Sequence, residues 1–124
     1  MIPAVRLHHV SFAIQDLAAS QRFFGGVLGL QEVERPNFSF PGAWYALGDR
    51  QLHLIVESPA DRQPAGRISR SDHMALEVSN IASVKQALQV AGIEYGEGGN
   101  QALGMEQIFC RDPDGHVIEF VRYR

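Results

Sequence analysis

The chain has 124 residues, of which 45% are hydrophobic and 20% are charged, and this length fits one domain or two small modules that share a core. The 11 lysines and arginines face 14 aspartates and glutamates, so the net charge is −3 and no basic excess is available to neutralise nucleic-acid phosphates. No apolar run reaches the roughly 20 residues of a membrane-spanning helix, and the N-terminus has no signal-peptide pattern. We therefore expect a cytoplasmic protein that binds neither nucleic acid nor a membrane.

Two local features exclude common chemistries. Cys110 is the only cysteine, so the chain has no internal disulfide and no four-cysteine zinc site, and its apolar neighbours Ile108 and Phe109 predict a small thiol buried in a strand. The glycine-rich stretch 96–99 lacks the lysine and the serine or threonine of a phosphate-binding loop, and we interpret it as a mobile loop.

The first half of the chain predicts one βαβββ module. Alternating apolar residues at Val10, Phe12 and Ile14 indicate a half-buried strand, and Asp16 is a suitable cap for the helix that follows it. In chain order, the predicted elements are a strand at 10–14, a helix at 17–24, and strands at 32–35, 44–48 and 51–56.

The second half predicts the same order of elements. Asn80 caps the helix, Gly92 ends it, and the Asp-Pro-Asp-Gly sequence of residues 112–115 suits a tight turn between the last two strands. In chain order, the predicted elements are a strand at 73–79, a helix at 80–91, and strands at 93–97, 105–111 and 116–123.

The two halves align as an internal repeat. His9 aligns with His73 at an offset of 64 positions, and His53 aligns with Glu119 at an offset of 66. Apolar residues match through both alignments, although identity between the halves is low. Because a module of about 60 residues buries little core alone, we expect the two halves to pack side by side.

These observations predict an α+β fold for the single domain 1–124. Two tandem βαβββ modules, 1–57 and 72–124, form a curved mixed sheet around a cup, with the helices on its outer face. The polar segment 58–71 contains two prolines and a glycine and is the predicted linker. A module of this size leaves an open sheet edge and a half-built cup, so we expect a twofold homodimer.

Four side chains at equivalent repeat positions are candidate metal ligands. Since successive side chains on a strand alternate between faces, each of the four should point away from the face that packs on the helix. A single histidine on a strand is more often hydrogen-bonded or solvated than a ligand, but four equivalent positions weaken that interpretation. Three imidazoles and one carboxylate in a partly apolar cup suit Zn²⁺, Ni²⁺, Co²⁺, Mn²⁺ or Fe²⁺. The four candidates are His9, His53, His73 and Glu119.

An aromatic segment that starts at residue 37 is a candidate wall for a ligand site. It contains Phe38 and Trp44, and Arg35 precedes it as a possible cationic contact. Aromatic residues of this kind more often pack in the core. We interpret the remaining histidines, His8 and His116, as structural or exposed.

Four stretches of the sequence together resemble the vicinal oxygen chelate superfamily. This superfamily includes glyoxalase I, methylmalonyl-CoA epimerase, extradiol dioxygenases, fosfomycin-modifying enzymes and bleomycin-binding proteins. The resemblance covers nearly the whole chain, and its most specific part is the ending Asp-Pro-Asp-Gly-x-x-x-Glu. The four stretches are residues 9–17, 23–30, 72–78 and 112–120.

The resemblance implies a function and a set of site residues. It places His9, His53, His73 and Glu119 at the metal-binding positions of a homodimeric protein. It implies a lyase or isomerase that acts on a small substrate with vicinal oxygens, in which the metal is a Lewis acid that stabilises an enediolate. Glu119 or His53 is the candidate base. Bacterial glyoxalase I enzymes usually carry glutamate where this chain has His53, so we expect weak or absent activity on the methylglyoxal–glutathione hemithioacetal, with metal binding retained.

Two alternatives remain open at this point. One is a metal-free protein of the bleomycin-resistance type, which sequesters an apolar or aromatic ligand in the cup. The other is an Fe(II) extradiol-type dioxygenase, which uses two histidines and one glutamate. The first alternative has no need of three converging histidines and a glutamate, so the ligand quartet favours a metalloenzyme.

Overall fold

A computed structural model describes Met1, residues 3–57 and residues 73–124. The chain divides into two compact units, Met1–Arg62 and Gln63–Arg124, and each has the predicted βαβββ order. The predicted linker 58–71 lies outside the described residues, and the module bounds 1–57 and 72–124 stay a prediction. Among the described residues, no helix has the length and apolar character that a membrane crossing requires.

The first unit contains a four-stranded mixed sheet. Its strands hydrogen-bond in the order β1-β4-β3-β2, with β1 parallel to β4 and the other neighbours antiparallel. The elements are β1 (His9–Ile14), α1 (Leu17–Gln21), β2 (Glu32–Val33), β3 (Gly42–Leu47) and β4 (Arg50–Val56).

The first helix follows its prediction only in part. The Asp16 side chain caps it as predicted, accepting a hydrogen bond from the backbone N of Ala19 at 3.0 Å. Beyond α1, the backbone widens into a π-helical turn over Arg22–Val27. Gly25 lies in this turn against the buried ring of Tyr45, where an added Cβ would be 3.5 Å from Cε1 of the tyrosine. The helical segment therefore ends in a wider turn that packs closely on β3.

The second unit repeats the topology of the first. Its strands hydrogen-bond in the order β5-β8-β7-β6, again with one parallel pair, β5 and β8. Asn80 caps its helix by accepting a hydrogen bond from the backbone N of Ser83 at 3.1 Å, as predicted. The elements are β5 (His73–Glu77), α2 (Ile81–Val90), β6 (Tyr95–Asn100), β7 (Met105–Arg111) and β8 (Val117–Tyr123).

The interpretation of residues 96–99 as a mobile loop was wrong. These residues lie inside β6, which pairs antiparallel with β7 over six positions. Gly99 has φ of +154°, and a Cβ there would be 2.6 Å from the carbonyl oxygen of Met105. A Cβ at Gly98 would be 3.3 Å from the ring of Phe109. Gly99 is therefore required for the close approach of the two strands and Gly98 favours it, whereas Gly96 has open space around it. The glycines of this stretch do not indicate a loop.

The apolar faces of the two sheets form the cores. Leu52 and Leu54 are completely buried on β4, and Ile118 and Phe120 are buried at the corresponding positions of β8. Burial of each such side chain contributes about 1.5–3 kcal/mol to stability. Because side chains alternate along a strand, the residue between each pair is placed on the opposite face of its sheet.

Candidate functional site

The first unit brings His9 and His53 together. Ser11 of β1 pairs with His53 of β4, and His9 lies two positions before Ser11, so both histidines are on one face of the sheet. Their rings stack with centroids 4.1 Å apart and an interplanar angle of 19°. His8 also contacts this pair, because its Nδ1 lies 2.8 Å from Nδ1 of His9. One of these two nitrogens donates the hydrogen and the other accepts it.

The ring of His53 is held on a second side and at its edge. Trp44 of β3 pairs with His53 of β4, and its ring stacks on the imidazole with centroids 3.9 Å apart and an interplanar angle of 4°. Nε2 of His53 lies 2.8 Å from Oε1 of Gln51, which is two positions away on the same strand and therefore on the same face. In this arrangement Nε2 donates to the amide oxygen, and the lone pair is on Nδ1.

The surroundings of His53 favour its neutral form. Burial is the main cause that lowers the pKa of His53 below its ordinary value, and positive charge at His9, His8 and Arg35 lowers it further. Metal ions bind the neutral imidazole, so a lowered pKa keeps this side chain in the form that a ligand requires.

The second unit brings His73 and Glu119 together in the equivalent register. Ala75 of β5 pairs with Glu119 of β8, and His73 lies two positions before Ala75. Nε2 of His73 is 3.5 Å from Oε1 of Glu119. The same oxygen accepts a hydrogen bond from Nε2 of Gln107 at 3.1 Å, and Phe109 packs edge-on against the His73 ring.

The carboxylate of Glu119 is buried without a permanent cation. Its side chain is only 10% exposed, and no lysine or arginine pairs with it among the residues that the structure describes. An ionised carboxylate in such a position is costly unless a positive group compensates it. His73 supplies that charge only when protonated, so the position is also suited to a bound cation.

Sequence reasoning missed three residues that support the candidate ligands. Gln51 was detectable, because it has the same strand parity as His53. Gln107 and Phe109 contact the ligand pair from β7, and only the register between β7 and β8 brings them there. Phe109 pairs with Glu119 as Trp44 pairs with His53, so the two units present aromatic rings at equivalent positions.

The candidate ligands therefore form two pairs, one in each unit. His9 accompanies His53, and His73 accompanies Glu119. Within either unit, the described residues contain no group of three or more histidine, cysteine, aspartate or glutamate side chains placed to hold a metal ion. The donor chemistry fits a divalent ion, because imidazole nitrogen and carboxylate oxygen are common zinc and first-row metal ligands. That all four bind one ion stays a prediction.

The predicted wall residues lie together in the first unit. The rings of Phe38 and Phe40 stack with centroids 5.2 Å apart, and Phe38 lies 6.0 Å from Trp44. The guanidinium carbon of Arg35 is 4.8 Å from the Phe38 centroid and 5.1 Å from that of Phe40. Phe38 and Phe40 are 41% and 40% exposed, so these rings form a surface and are not part of the core.

Comparison with known proteins defines the family. The family model of the glyoxalase/bleomycin resistance protein/dioxygenase superfamily matches residues 6–120, and the chain belongs to this superfamily. The resemblance found in the sequence is thereby confirmed.

Individual relatives differ in the activities that their names state. A lactoylglutathione lyase from Haemophilus influenzae is 25% identical, over 94% of this chain and 92% of the relative. A Bacillus anthracis protein assigned to the glyoxalase family is 25% identical, with a TM-score of 0.80 and complete coverage of both chains. A point mutant of the fosfomycin resistance protein FosX from Listeria monocytogenes, solved with Mn(II) and 1S,2S-dihydroxypropylphosphonic acid, shares the fold. Its TM-score is 0.80 at 14% identity, over 100% of this chain and 95% of FosX.

Proposed function

We propose that this chain is a divalent-metal-dependent enzyme that acts on a small substrate with two neighbouring oxygen atoms, in a lyase or isomerase reaction. The observation that carries the proposal is the buried Glu119 carboxylate, which contacts His73 and Gln107 and no lysine or arginine of the described residues. The equivalent pair His9 and His53 supports it, as do relatives named lactoylglutathione lyase and a structural neighbour solved with Mn(II).

The proposed ligands are His9, His53, His73 and Glu119, and the ion is Zn²⁺, Ni²⁺, Co²⁺, Mn²⁺ or Fe²⁺. When bound, such an ion supplies Lewis-acid stabilisation of negative charge that develops on the substrate oxygens. Aromatic rings flank the ligands in both units, at Trp44 and Phe109. In the proposed site these rings would limit the access of water to the ligands, and a drier site strengthens electrostatic interactions.

Two residues of the chain are candidates for proton transfer. Glu119 has one carboxylate oxygen engaged by Gln107, and Oε2 accepts no hydrogen bond from the described residues. Oε2 is therefore the atom we propose to take a proton from a carbon beside a carbonyl group. His53 is the second candidate, but its one lone pair is on Nδ1, because Nε2 donates to Gln51. His53 would therefore accept a proton only when Nδ1 does not bind the ion.

Metal analysis of untagged protein tests this proposal. We expect protein stripped with EDTA to bind a single equivalent of Zn²⁺, Ni²⁺, Co²⁺ or Mn²⁺ by calorimetry. Glu119→Gln should weaken binding by more than the 10- to 100-fold that loss of an outer-shell partner typically costs. Glu106→Gln is the matched control, because that carboxylate binds Arg122 and Arg124 instead. Absence of metal binding by the unmodified protein, or equal affinity in the Glu119→Gln variant, contradicts the proposal.

The exposed aromatic face favours a second candidate function. Phe38 and Phe40 offer a surface that a protein of the bleomycin-resistance type needs to sequester an aromatic ligand. Such a protein binds its ligand without metal and without turnover, so metal analysis separates the two candidates. An Fe(II) extradiol-type dioxygenase would instead show oxygen uptake with a catechol after loading with iron.

We further propose that the protein is a cytoplasmic homodimer. Each four-stranded sheet ends in edge strands, and unpaired strand edges favour pairing of two chains. Sedimentation at micromolar concentration should give the dimer mass. A monomer that binds metal with full affinity contradicts the proposed assembly but leaves the proposed metal ligands intact.

A further inference from the structure

We infer that Arg35, Phe38, Phe40 and Trp44 form a binding face for a planar aromatic carboxylate. We call these four residues the acid-binding face. As a statement about the substrate, this inference rests on the proposed function. As a statement about binding, it concerns the first unit alone and requires no metal.

The guanidinium of Arg35 supplies an unpaired positive charge. Among the residues that the structure describes, no carboxylate forms an ion pair with it. Of the five N–H groups of an arginine, the structure uses one, because Nη2 donates to the carbonyl oxygen of Phe40 at 2.9 Å. Nε is buried and has no hydrogen-bond partner among the described residues. A partly buried guanidinium with unused donors is costly, and its planar arrangement of N–H groups matches the two oxygens of a carboxylate.

The position of this guanidinium is fixed by its neighbours. Gly42 provides the space in which it lies, since an added Cβ would be 3.1 Å from Nη2 and 3.2 Å from Cζ of Arg35. On another side, the guanidinium packs over the rings of Phe38 and Phe40. An arginine held in this way loses little conformational entropy when an anion binds. The site is therefore prepared for an anionic ligand.

The rings beside Arg35 indicate that the anion is attached to a flat apolar group. Phe38 and Phe40 are nearly parallel, at 8°, and both are exposed. Two stacked apolar rings beside an unpaired positive charge offer both contacts that a ligand with an apolar part and an anionic part requires. Flat rings bind flat ligands by stacking, with a gain beyond the area that is buried. An aromatic acid satisfies both the rings and the guanidinium.

The acid-binding face is continuous with the candidate metal ligands of the first unit. Phe38 approaches Trp44, and Trp44 stacks on His53. A ligand that rests on these rings therefore extends toward His53, which places other substituents of the ring near the proposed ligands. We accordingly assign the substrate to aromatic acids that also carry two neighbouring oxygen atoms.

Titration of EDTA-treated protein with three probes tests this inference. The probes are 2-naphthoate, its neutral isostere 2-naphthamide, and cyclohexanecarboxylate, which has the charge without the aromatic ring. Trp44 is the only tryptophan of the chain, so its fluorescence reports ligand stacking, and calorimetry gives the affinity. We expect 2-naphthoate to bind saturably and the other two probes to bind about tenfold more weakly or worse.

Variants assign the binding to the proposed residues. Arg35→Gln should reduce the affinity for 2-naphthoate to that for 2-naphthamide, and Phe38→Leu should weaken 2-naphthoate but not cyclohexanecarboxylate. Arg50→Gln removes the same charge from the same unit, at a residue that pairs with Asp49, and should change the affinity by less than about twofold. If Arg35→Gln does not fold, Arg35→Lys replaces it, because it keeps the charge and loses the planar donors.

Three results would overturn the inference. They are equal affinity for 2-naphthoate and 2-naphthamide, unchanged 2-naphthoate binding in the folded Arg35 variant, and no binding of 2-naphthoate by the unmodified protein. If 2-naphthoate does not bind and the Arg35→Gln variant is a monomer where the unmodified protein is a dimer, the acid-binding face would instead contact a second copy of the chain. Because these titrations contain no metal, their failure leaves the proposed metal enzyme standing, and failure of metal binding leaves the acid-binding face standing.

Discussion

Nε2 of His73 lies 3.5 Å from Oε1 of Glu119, and the two residues are on neighbouring parallel strands, two register positions apart. His9 and His53 have the same relation in the first unit, where the contact is a ring stack. The repeat thus preserves the positions of the two pairs and changes their chemistry. With the imidazoles unprotonated, the pair His9 and His53 is neutral, whereas the pair His73 and Glu119 carries the negative charge of the carboxylate.

Gln107 should act on metal binding through Glu119. Its amide donates to Oε1 and orients the carboxylate, so we expect Gln107→Leu to weaken metal binding by about 10- to 100-fold. Calorimetry with Zn²⁺ or Mn²⁺ measures this change. Gln89→Leu is the control, since that amide donates to the hydroxyl of Tyr95. Equal metal affinity in the Gln107→Leu and unmodified proteins would show that the amide does not orient a ligand.

His53 should limit activity on the methylglyoxal–glutathione hemithioacetal. His53 is a neutral ligand at a position where bacterial glyoxalase I enzymes usually carry a glutamate. The metal site is therefore one unit more positive and has one fewer carboxylate to transfer protons. We expect weak or absent turnover by the unmodified protein, and an increase in kcat/KM in the His53→Glu variant with metal binding retained. His8→Glu introduces the same charge one residue from His9 and should not increase turnover.

Efficient hemithioacetal turnover by the unmodified protein with Ni²⁺ or Zn²⁺ would contradict this account of His53. If neither the unmodified protein nor His53→Glu reacts after metal loading, recognition of the substrate is the missing part. The fold then defines the class of protein without its substrate.

The Cys110 thiol should be unreactive in the folded protein. Its ionisation in the unfolded chain should lower the free energy of unfolding of the protein at high pH. Burial raises the pKa of this thiol to about 11, whereas an exposed thiol titrates near 8.5. The unfolded chain therefore loses the proton first. The contribution of Cys110 to the free energy of unfolding is constant below about pH 8.5 and falls above it, by at most about 1.4 kcal/mol per pH unit. Urea denaturation at pH 7 to 10 measures the decrease.

Cys110→Ala is the control for that decrease, since the variant lacks the thiol and should lose this part of the pH dependence. Tyr45, whose pKa burial and Glu32 raise to about 12, contributes in the same direction above its ordinary value of 10.0. Reaction with a thiol reagent at pH 8 should be slow in buffer and fast in urea. Fast reaction in buffer would show that the strand opens or that the thiol is exposed.

Asp112 should stabilise the turn between β7 and β8. Its Oδ1 accepts hydrogen bonds from the backbone N of Asp114 at 3.0 Å and of His116 at 2.6 Å. We expect Asp112→Ala to lower the free energy of unfolding by about 1–3 kcal/mol, because two backbone donors lose their partner. Asp49→Ala, at an exposed turn, should cost less than about 0.5 kcal/mol.

Asp112→Asn refines this prediction. Burial raises the pKa of the Asp112 carboxyl, so its charge is disfavoured in the folded state. The amide keeps one oxygen acceptor and removes that charge. Asparagine should therefore be less destabilising than alanine in urea denaturation at pH 7, and the opposite order would show that the charge itself stabilises the turn.

Much of the fold follows from local signals in the sequence. The cap at Asn80 depends only on residues within one helical turn, and β7 has the bounds that its apolar pattern predicts, Met105–Arg111. Strand parity alone likewise predicts that His9 and His53 share a face, and the register of β1 and β4 agrees with it. These features depend on short-range chemistry, which a single sequence contains.

Other features depend on contacts that a local pattern does not contain. The glycine-rich sequence of β6 has no apolar alternation, and the role of Gly98 and Gly99 is visible only once β7 lies against them. The contact of Arg35 with Phe40 depends on the conformation of the intervening segment. The hydrogen bond from Gln107 to Glu119 depends on the register of two strands. The sequence predicts which segments are helices or strands better than it predicts which strands pair and in what register. The contacts at the candidate site depend on that pairing and register.

The two units share a topology but differ in the length of one edge strand. In the second unit β6 pairs with β7 over six residues, whereas in the first unit β2 contributes only Glu32 and Val33 to the sheet. The segment 34–41, which carries Arg35 and both exposed phenylalanines, therefore has no strand ladder to protect its backbone amides, although the Arg35 side chain packs over both rings in the closed form. Its amides should exchange with deuterium faster than those of β6. A ligand that bridges the guanidinium and the rings would slow that exchange, because it binds only the closed form of the segment.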